Sequence, residues 1–417
     1  MRRFGPAFEV RDFRLWWLAA LGMVLSLQML EVVIGWQLYA QHHSALLLGW
    51  VGLAEFLPLV ILALPAGHLA DRAPRRLIFA GSLMMGVGIG LGLAALSHSG
   101  NTSEWPYLAL AAAAGCAMAI GNPASRAMPP TLVPPEILSN AMTLRAVGAQ
   151  FSMVAGPAVG GVLFGVSPTI VYLSTAGICV LAAMSALRIS PAPAADVPSA
   201  SRPAAPGMQT VLEGLRFVGR TQILLGAILL DLIAVLFGGA VALLPVFADS
   251  ILHVGSVGLG ILRAAPAFGA FVGAIVLTRW PLKGRAGRTL LIVVGLFGVS
   301  TIVFGLSRWY PLSLAALAVG GFVDLISVNI RSTTVALATP DRLRGRVNAV
   351  EMVFISASNQ LGAFESGLAA FLVGTVPAVV GGGVITILVV LGWSRLFPDL
   401  ANVDRLEDLR PVEEGSG

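Results

Sequence analysis

Twelve apolar segments divide this chain, each close to the ~20 residues that a helix needs to cross a hydrocarbon core. They cover residues 15–40, 46–70, 77–97, 107–125, 138–165, 169–187, 222–248, 257–278, 289–306, 312–330, 347–374 and 376–396. No water-soluble globule can bury that much apolar sequence. Hydrophobic residues make up 57% of the chain and charged ones 11%, where a soluble domain carries roughly 25%. The bilayer must act as solvent for most of the surface. With no water at that depth, the backbone has to close its own hydrogen bonds, which helices do. The first segment is too long for a cleavable signal, and no small-residue cleavage pattern follows it, so it is expected to stay as the first helix.

The positive charges fall on one side of this layout. Numbering the segments puts the N-terminus, loops 2–3, 4–5, 6–7, 8–9 and 10–11 and the C-terminus together. With helix-end residues counted, that side carries 23 of the 26 Lys and Arg, and the opposite loops carry one, Arg308. Arg145 and Arg263 lie inside apolar segments. A miscounted segment would scramble this partition. The expectation is an all-α membrane protein with twelve transmembrane helices and both termini cytoplasmic, in a bacterial-type inner (plasma) membrane.

The same residues exclude several functions. The net charge of +5 is scattered through short loops rather than gathered on a polar domain, which argues against a nucleic-acid partner. Cys116 and Cys179, both inside apolar runs, read as small core residues, and no His/Cys set has metal-ligand spacing. HExxH, GxSxG and P-loop patterns are absent, so neither a membrane enzyme nor an ATP-driven pump is expected.

The two halves echo one another. Arg126 and Arg331 are 205 positions apart, as are Pro135-Glu136-Ile137-Leu138 and Pro340-Asp341-Arg342-Leu343. Gly52 and Pro58 match Gly260 and Pro266 at an offset of 208, which also pairs Glu55 with Arg263. Together with a six-plus-six segment count, these echoes imply two pseudo-symmetric six-helix bundles, residues 1–189 and 221–397. A linker, residues 190–220, joins them; it is rich in Pro, Ala and Ser at first, with a short interfacial helix expected near residues 212–220, and residues 398–417 form a cytoplasmic tail. Glycine pairs such as Gly86/Gly90 and Gly156/Gly160 suit close helix approach.

Loop 2–3 reads GHLADRAPRR, residues 67–76. Gly67, Leu69, Asp71, Arg72, Arg75 and Arg76 resemble the signature between helices two and three of the major facilitator superfamily. Pro74 stands where that family usually has Gly, so the turn must be made differently here. In the fifth segment, Gly156, Pro157, Gly160 and Gly161 resemble the end of a motif associated with proton-coupled antiporters, with Ser152 in place of a further Gly. Ordinary glycine packing also accounts for them. Ala338-Thr339-Pro340, Arg344-Gly345-Arg346-Val347-Asn348, Ser358-Asn359-Gln360-Leu361-Gly362 and Leu243-Leu244-Pro245 are similar to the enterobactin-exporter-like branch, which exports siderophores and has drug effluxers among its relatives.

Charges at membrane depth are costly and mark candidate sites. Five carboxylates fall well inside the segments, Glu31, Glu55, Asp231, Asp324 and Glu365, with Arg263 as the cation near mid-depth. A carboxyl group withdrawn from water favours its neutral form and can exchange a proton near neutral pH; a structural ion pair is the competing reading. The resemblance implies that helices one, four, seven and ten line a central cavity. That ranks Glu31, Asp231 and Asp324 first, with Arg263 neutralising Asp231 or Asp324. It also implies a cytoplasmic gate made by Gly67, Asp71, Arg72, Arg75, Arg76, Arg126, Arg145, Arg331 and Glu351. Trp36, Gln37, Phe237 and Asn329 suit either a substrate pocket or plain packing. The expected function is secondary active export, driven by the proton gradient without a cofactor, of a small amphipathic molecule such as a siderophore or drug. An importer, a lipid flippase or a non-transporting sensor of the same fold are the alternatives. A monomer in the lipid bilayer is the superfamily default.

Overall fold

In a computed structural model, the protein is described over residues 5–190, 208–280, 284–405, 407 and 409, excepting the side chains of residues 63, 64, 67–72, 208–212, 349 and 356. Among these, twelve long helices follow the twelve apolar segments. They are α1 (Arg11–His42), α2 (Ala45–Arg72), α3 (Arg75–His98), α4 (Glu104–Arg126), α5 (Leu138–Val166), α6 (Pro168–Leu187), α7 (Gln222–Gly238), α8 (Gly255–Arg279), α9 (Ala286–Leu306), α10 (Tyr310–Ala338), α11 (Arg344–Val373) and α12 (Thr375–Leu396). Eleven of these stretches are long and apolar enough to cross a membrane. The twelfth is α11, the most polar of the set, with Glu351, Glu365 and the run Ser358-Asn359-Gln360 along its length.

Three elements differ from the sequence expectation. Residues 67–76 are mostly helix rather than loop. α2 runs to Arg72 and α3 starts at Arg75, leaving only Ala73 and Pro74 between them. Pro74, at φ −58° and ψ 115°, cannot continue α2 and disfavours helical geometry in the residue before it, so the turn is made by proline where the family uses glycine. The seventh segment is not one continuous helix. α7 ends at Gly238, Gly239 leaves the helical region, and the chain continues as a 3₁₀ turn (Ala240–Leu243), a short helical turn (Leu244–Val246) and a widened π-type turn (Phe247–Ile251). Paired glycines and Pro245, which has no N–H to donate, account for the break. The linker helix is longer than expected, Met208–Arg220, and lies on protein. Its Phe217 and Val218 pack with Leu224, Ile228, Val335, Leu343 and Val347. Its Gly214 lies against the Arg346 carbonyl, and Glu213 pairs with Arg346.

The chain forms two compact units. One comprises residues 1–43, 54–205 and 254–264; the other comprises residues 44–53, 206–253 and 265–417. The start of α2 thus groups with the second unit and the start of α8 with the first.

Close helix approach in the first unit follows the glycines. A Cβ at Gly90 would stand 3.0 Å from the Tyr172 carbonyl, and one at Gly86 2.9 Å from the Cys179 sulfur, so α3 lies tight on α6. Trp16 donates its indole N–H to the Ser125 carbonyl (3.1 Å) and Trp17 to the Leu144 carbonyl (2.9 Å), tying α1 to α4 and α5. Gln37 is buried, and both ends of its amide are engaged. It donates to the Tyr107 hydroxyl (2.9 Å) and accepts from the Tyr172 hydroxyl (2.7 Å), so it braces α1, α4 and α6 rather than lining a pocket. In the second unit, Trp393 donates to the Gly226 carbonyl (3.1 Å), and the break in α7 is cushioned by glycines: Gly362 faces the Val235 and Leu236 carbonyls, and Gly382 the Phe237 carbonyl. The tail also docks there. Ala286 and Gly287 donate to the carbonyls of Asp404 and Val403 (both 2.9 Å), and the Asp404 carboxylate accepts from the Arg285 N–H (2.8 Å). These contacts satisfy amides that the start of α9 would otherwise leave unpaired.

Candidate functional site

Two groups of charges are buried at membrane depth, one in each unit. In the first, Arg263 on α8 bonds Glu31 on α1 through Nη2 and Oε2 at 2.5 Å, with side chains 20% and 27% exposed. Glu55 on α2 lies within electrostatic reach of both. At a rise of ~1.5 Å per residue, Glu31 stands about 16 Å from the His42 end of α1, Glu55 about 15 Å from the Ala45 end of α2, and Arg263 about 12 Å from the Gly255 end of α8. The three groups therefore sit at a common depth, near the middle of a hydrocarbon core.

The α5 glycines explain why these groups can meet. Gly156 and Gly160 face α1: a Cβ at Gly156 would stand 2.6 Å from Gln28 Cβ, and one at Gly160 3.3 Å from Met29 Cα. Gly161 faces α8, where a Cβ would stand 2.5 Å from the Ser256 carbonyl and 2.9 Å from Gly260 Cα. The Pro157 carbonyl lies against Gly260 itself. Glu31 follows Met29 by two residues, and Arg263 follows Gly260 by three. On the other side, α4 crosses α2 at Glu55, with Gly115 against the Glu55 carbonyl.

In the second unit, Arg331 on α10 is 4% exposed and pairs with Asp231 on α7. Asp324 and, on α11, Glu351 lie within electrostatic reach of Arg331 and Asp231. Asp324 precedes Arg331 by seven residues, which is two turns and the same helix face. Arg331 and Glu351 each stand about 10 Å from the Arg-rich ends of their helices, and Asp231 about 14 Å. Asp324 stands about 21 Å from the same end of α10, so this group spans a range of depths, with Arg331 and Glu351 nearest the helix ends.

The structure thus redistributes the expected residues. Arg263 pairs with Glu31, not with Asp231 or Asp324. The cation that serves Asp231 is Arg331, placed at the gate by resemblance, and Glu351 joins it. Sequence reasoning missed that pairing by treating Arg331 as a helix-end residue; the seven-residue spacing from Asp324 was the available signal. Glu365 joins neither group. It lies beside the Ser366 hydroxyl, which donates to the Gly239 carbonyl at the α7 break (3.3 Å).

Of the remaining gate residues, Arg75 donates to the Ala127 carbonyl and Arg76 to the Ile189 carbonyl (both 2.9 Å), fastening the start of α3 to the ends of α4 and α6. Arg126 and Arg145 lie within electrostatic reach of each other. The side chains of Gly67, Asp71 and Arg72 are outside the described residues. Trp36 packs edge-on to Phe164, with centroids 6.5 Å apart. Asn329 lines an open cavity of about 880 Å³ in the second unit, between α8, α10 and the docked tail, together with Thr278, Thr333, Arg285 and Arg405.

The helical architecture is that of solved transporters. It superposes with a TM-score of 0.71 on a bacterial homolog of the human lysosomal transporter Spinster in an inward-facing, unoccupied conformation, at 16% identity, covering 93% of this chain and 98% of that one. A POT family transporter in complex with 5-aminolevulinic acid gives 0.74 at 10% identity, covering 94% and 96%. Those structures show the fold; the family model that matches the chain shows the class, a multi-pass membrane transporter of the major facilitator superfamily, not an enzyme, acting on a small-molecule substrate. Within it, the transmembrane secretion effector model matches residues 3–410, and the chain belongs to that family. It is 26% identical over 403 residues to the enterobactin exporter EntS of Shigella boydii, covering 92% of each chain. To the enterobactin exporter EntS of Citrobacter koseri it is 27% identical over 418 residues, covering 97% of this chain and 95% of that one.

Proposed function

We propose that the protein is a proton-coupled exporter of a small amphipathic molecule, of the siderophore or drug type, working by alternating access in a bacterial inner membrane. The observation that carries this reading is an excess of acids over bases at both buried groups. Glu31 and Glu55 share Arg263, while Asp231, Asp324 and Glu351 share Arg331. An uncompensated carboxylate in a low-dielectric site is costly, so such a group gains from taking a proton. Proton entry can then be tied to substrate exit, with no cofactor beyond the ion gradient. The α5 glycine motif and the similarity to enterobactin exporters support the export direction. Both termini lie in the cytoplasm on this reading, the protein works as a monomer, and the cytoplasmic gate includes Asp71 and Arg72.

The test is flux in proteoliposomes under an imposed pH gradient, with enterobactin and a fluorescent amphipathic dye as probes. Export predicts that a probe moves against the proton flow and that collapsing the gradient abolishes the movement. Probe movement in the same direction as protons would replace the exporter with an importer, and no movement of either probe would remove the substrate class. Asp71→Asn is expected to slow flux while leaving expression intact; normal flux would remove Asp71 from the gate.

A further inference from the structure

The first buried group is the simpler of the two, with two acids to its one cation where the second has three. Its members come from three helices, Glu31 on α1, Glu55 on α2 and Arg263 on α8, and α4 and α5, which pack beside them in the same unit, bring no further charge to that depth; in the second unit, α11 packs on the start of α2 at Gly49 and Gly52 and carries Glu365, and α10 packs on α8 at Pro266 and carries Asp324. α4 offers Gly115 to Glu55; α5 offers Gly156, Gly160 and Gly161 to α1 and α8. Charges elsewhere on these five helices, Asp12, Arg14, Glu104, Arg126, Arg145 and Arg279 among them, lie three or more turns away along their own axes. Glu31 is engaged directly by the guanidinium at 2.5 Å, whereas among the described residues no hydrogen bond or ion pair reaches the Glu55 carboxylate. One cation therefore faces two carboxylates, and one negative charge is unmatched.

We infer that Glu55 is the exchangeable proton carrier of this group, that the Glu31–Arg263 pair is its permanently charged lock, and that the α5 glycines are the positioning residues that let the lock form. Deprotonating Glu55 gives Arg263 a second acceptor. Arg263 then exchanges partners, from Glu31 on α1 to Glu55 on α2, without leaving the site. Glu55 and Arg263 occupy repeat-equivalent positions with opposite charge, so the exchange joins the two sequence repeats through matching places on α2 and α8. The proton-carrying role rests on the exporter reading; the proton count does not.

The experiment is infrared difference spectroscopy of purified, substrate-free protein at one near-neutral pH, following the carbonyl stretch of protonated carboxyl groups. The second group is left intact as a constant background. Charge balance predicts one bound proton in the wild type and none in Glu55→Gln. It also predicts none in Glu31→Gln, because Arg263 then serves Glu55 alone. Arg263→Gln should hold two protons, and the Glu55→Gln/Arg263→Gln double variant should return to one. That recovery separates charge balance from misfolding, since a collapsed site would not regain its wild-type band. A band unchanged in Glu55→Gln, or no gain in Arg263→Gln, overturns the assignment. Coupled flux with the wrong count would sink this inference and leave the exporter standing; the right count without pH-driven flux would do the reverse.

Discussion

Gly161→Ala tests whether α5 sets the Glu31–Arg263 pair. The new methyl would stand 2.5 Å from the Ser256 carbonyl and 2.9 Å from Gly260 Cα, both backbone atoms that cannot rotate away. Restoring ordinary contact requires α8 to retreat by about 1 Å relative to α5, and overpacking of this kind costs about 1–3 kcal/mol. Arg263 is one turn along from Gly260, so the same retreat stretches its 2.5 Å bond to Glu31. At about 3.5 Å the bond is at the edge of hydrogen-bond geometry. A charge-assisted bond contributes about 1.5–3 kcal/mol, and the partial exposure of this pair argues for the lower end. The measurement is a double-mutant cycle of Gly161→Ala with Arg263→Gln, read by equilibrium unfolding of the purified protein in mixed micelles. If α5 holds the pair, part of the glycine effect vanishes once Arg263 is gone, giving a coupling of about 1–2 kcal/mol. Additivity within about 0.5 kcal/mol would show that the glycine packs two helices and does nothing for the charges.

Asp231→Asn leaves Arg331 buried without its direct partner. A loss of about 3 kcal/mol is expected in unfolding measurements, at the low end for a broken buried pair because Asp324 and Glu351 remain nearby, and much less in an Arg331→Met background. Gln37→Leu strands the buried Tyr172 hydroxyl and removes one partner of Tyr107, which keeps the Asn101 carbonyl (3.4 Å), and should cost about 1–3 kcal/mol, seen as a lower melting temperature; a melting point at or above wild type would mean that Tyr172 finds another partner. Asp404→Ala removes a carboxylate acceptor at the start of α9, worth about 1 kcal/mol, and should speed proteolysis of the tail; unchanged digestion would show that the backbone contacts alone hold it. Glu213→Gln breaks an exposed ion pair with Arg346 and is expected to change stability by less than about 1 kcal/mol in the same melting assay.

Hydropathy and charge made the twelve helices legible, because both depend on segment averages. Details that hinge on one residue were harder to read. The 2–3 connection contracts to two residues because Pro74 ends a helix that Gly67 to Arg72 otherwise extend, and polar composition alone made that stretch read as loop. The α7 break follows from Gly238, Gly239 and Pro245, but each of these is tolerated in membrane helices, so an apolar run through them read as continuous. The buried acids were visible as charges out of place. Their partners were not, since pairing across helices depends on rotation about each axis. Arg263 and Glu31 are 232 positions apart, and only the glycines at 156, 160 and 161 hinted that α1 and α8 share a neighbour.

The linker helix has a practical corollary. Because Met208–Arg220 rests on α11 through Phe217, Val218 and the close approach of Gly214, it belongs physically to the polypeptide that follows it. Anyone dividing this transporter into two co-expressed fragments should cut ahead of Met208. A cut at Thr221 would send that amphipathic stretch away with the wrong fragment and strip an apolar cover from Val335, Leu343 and Val347.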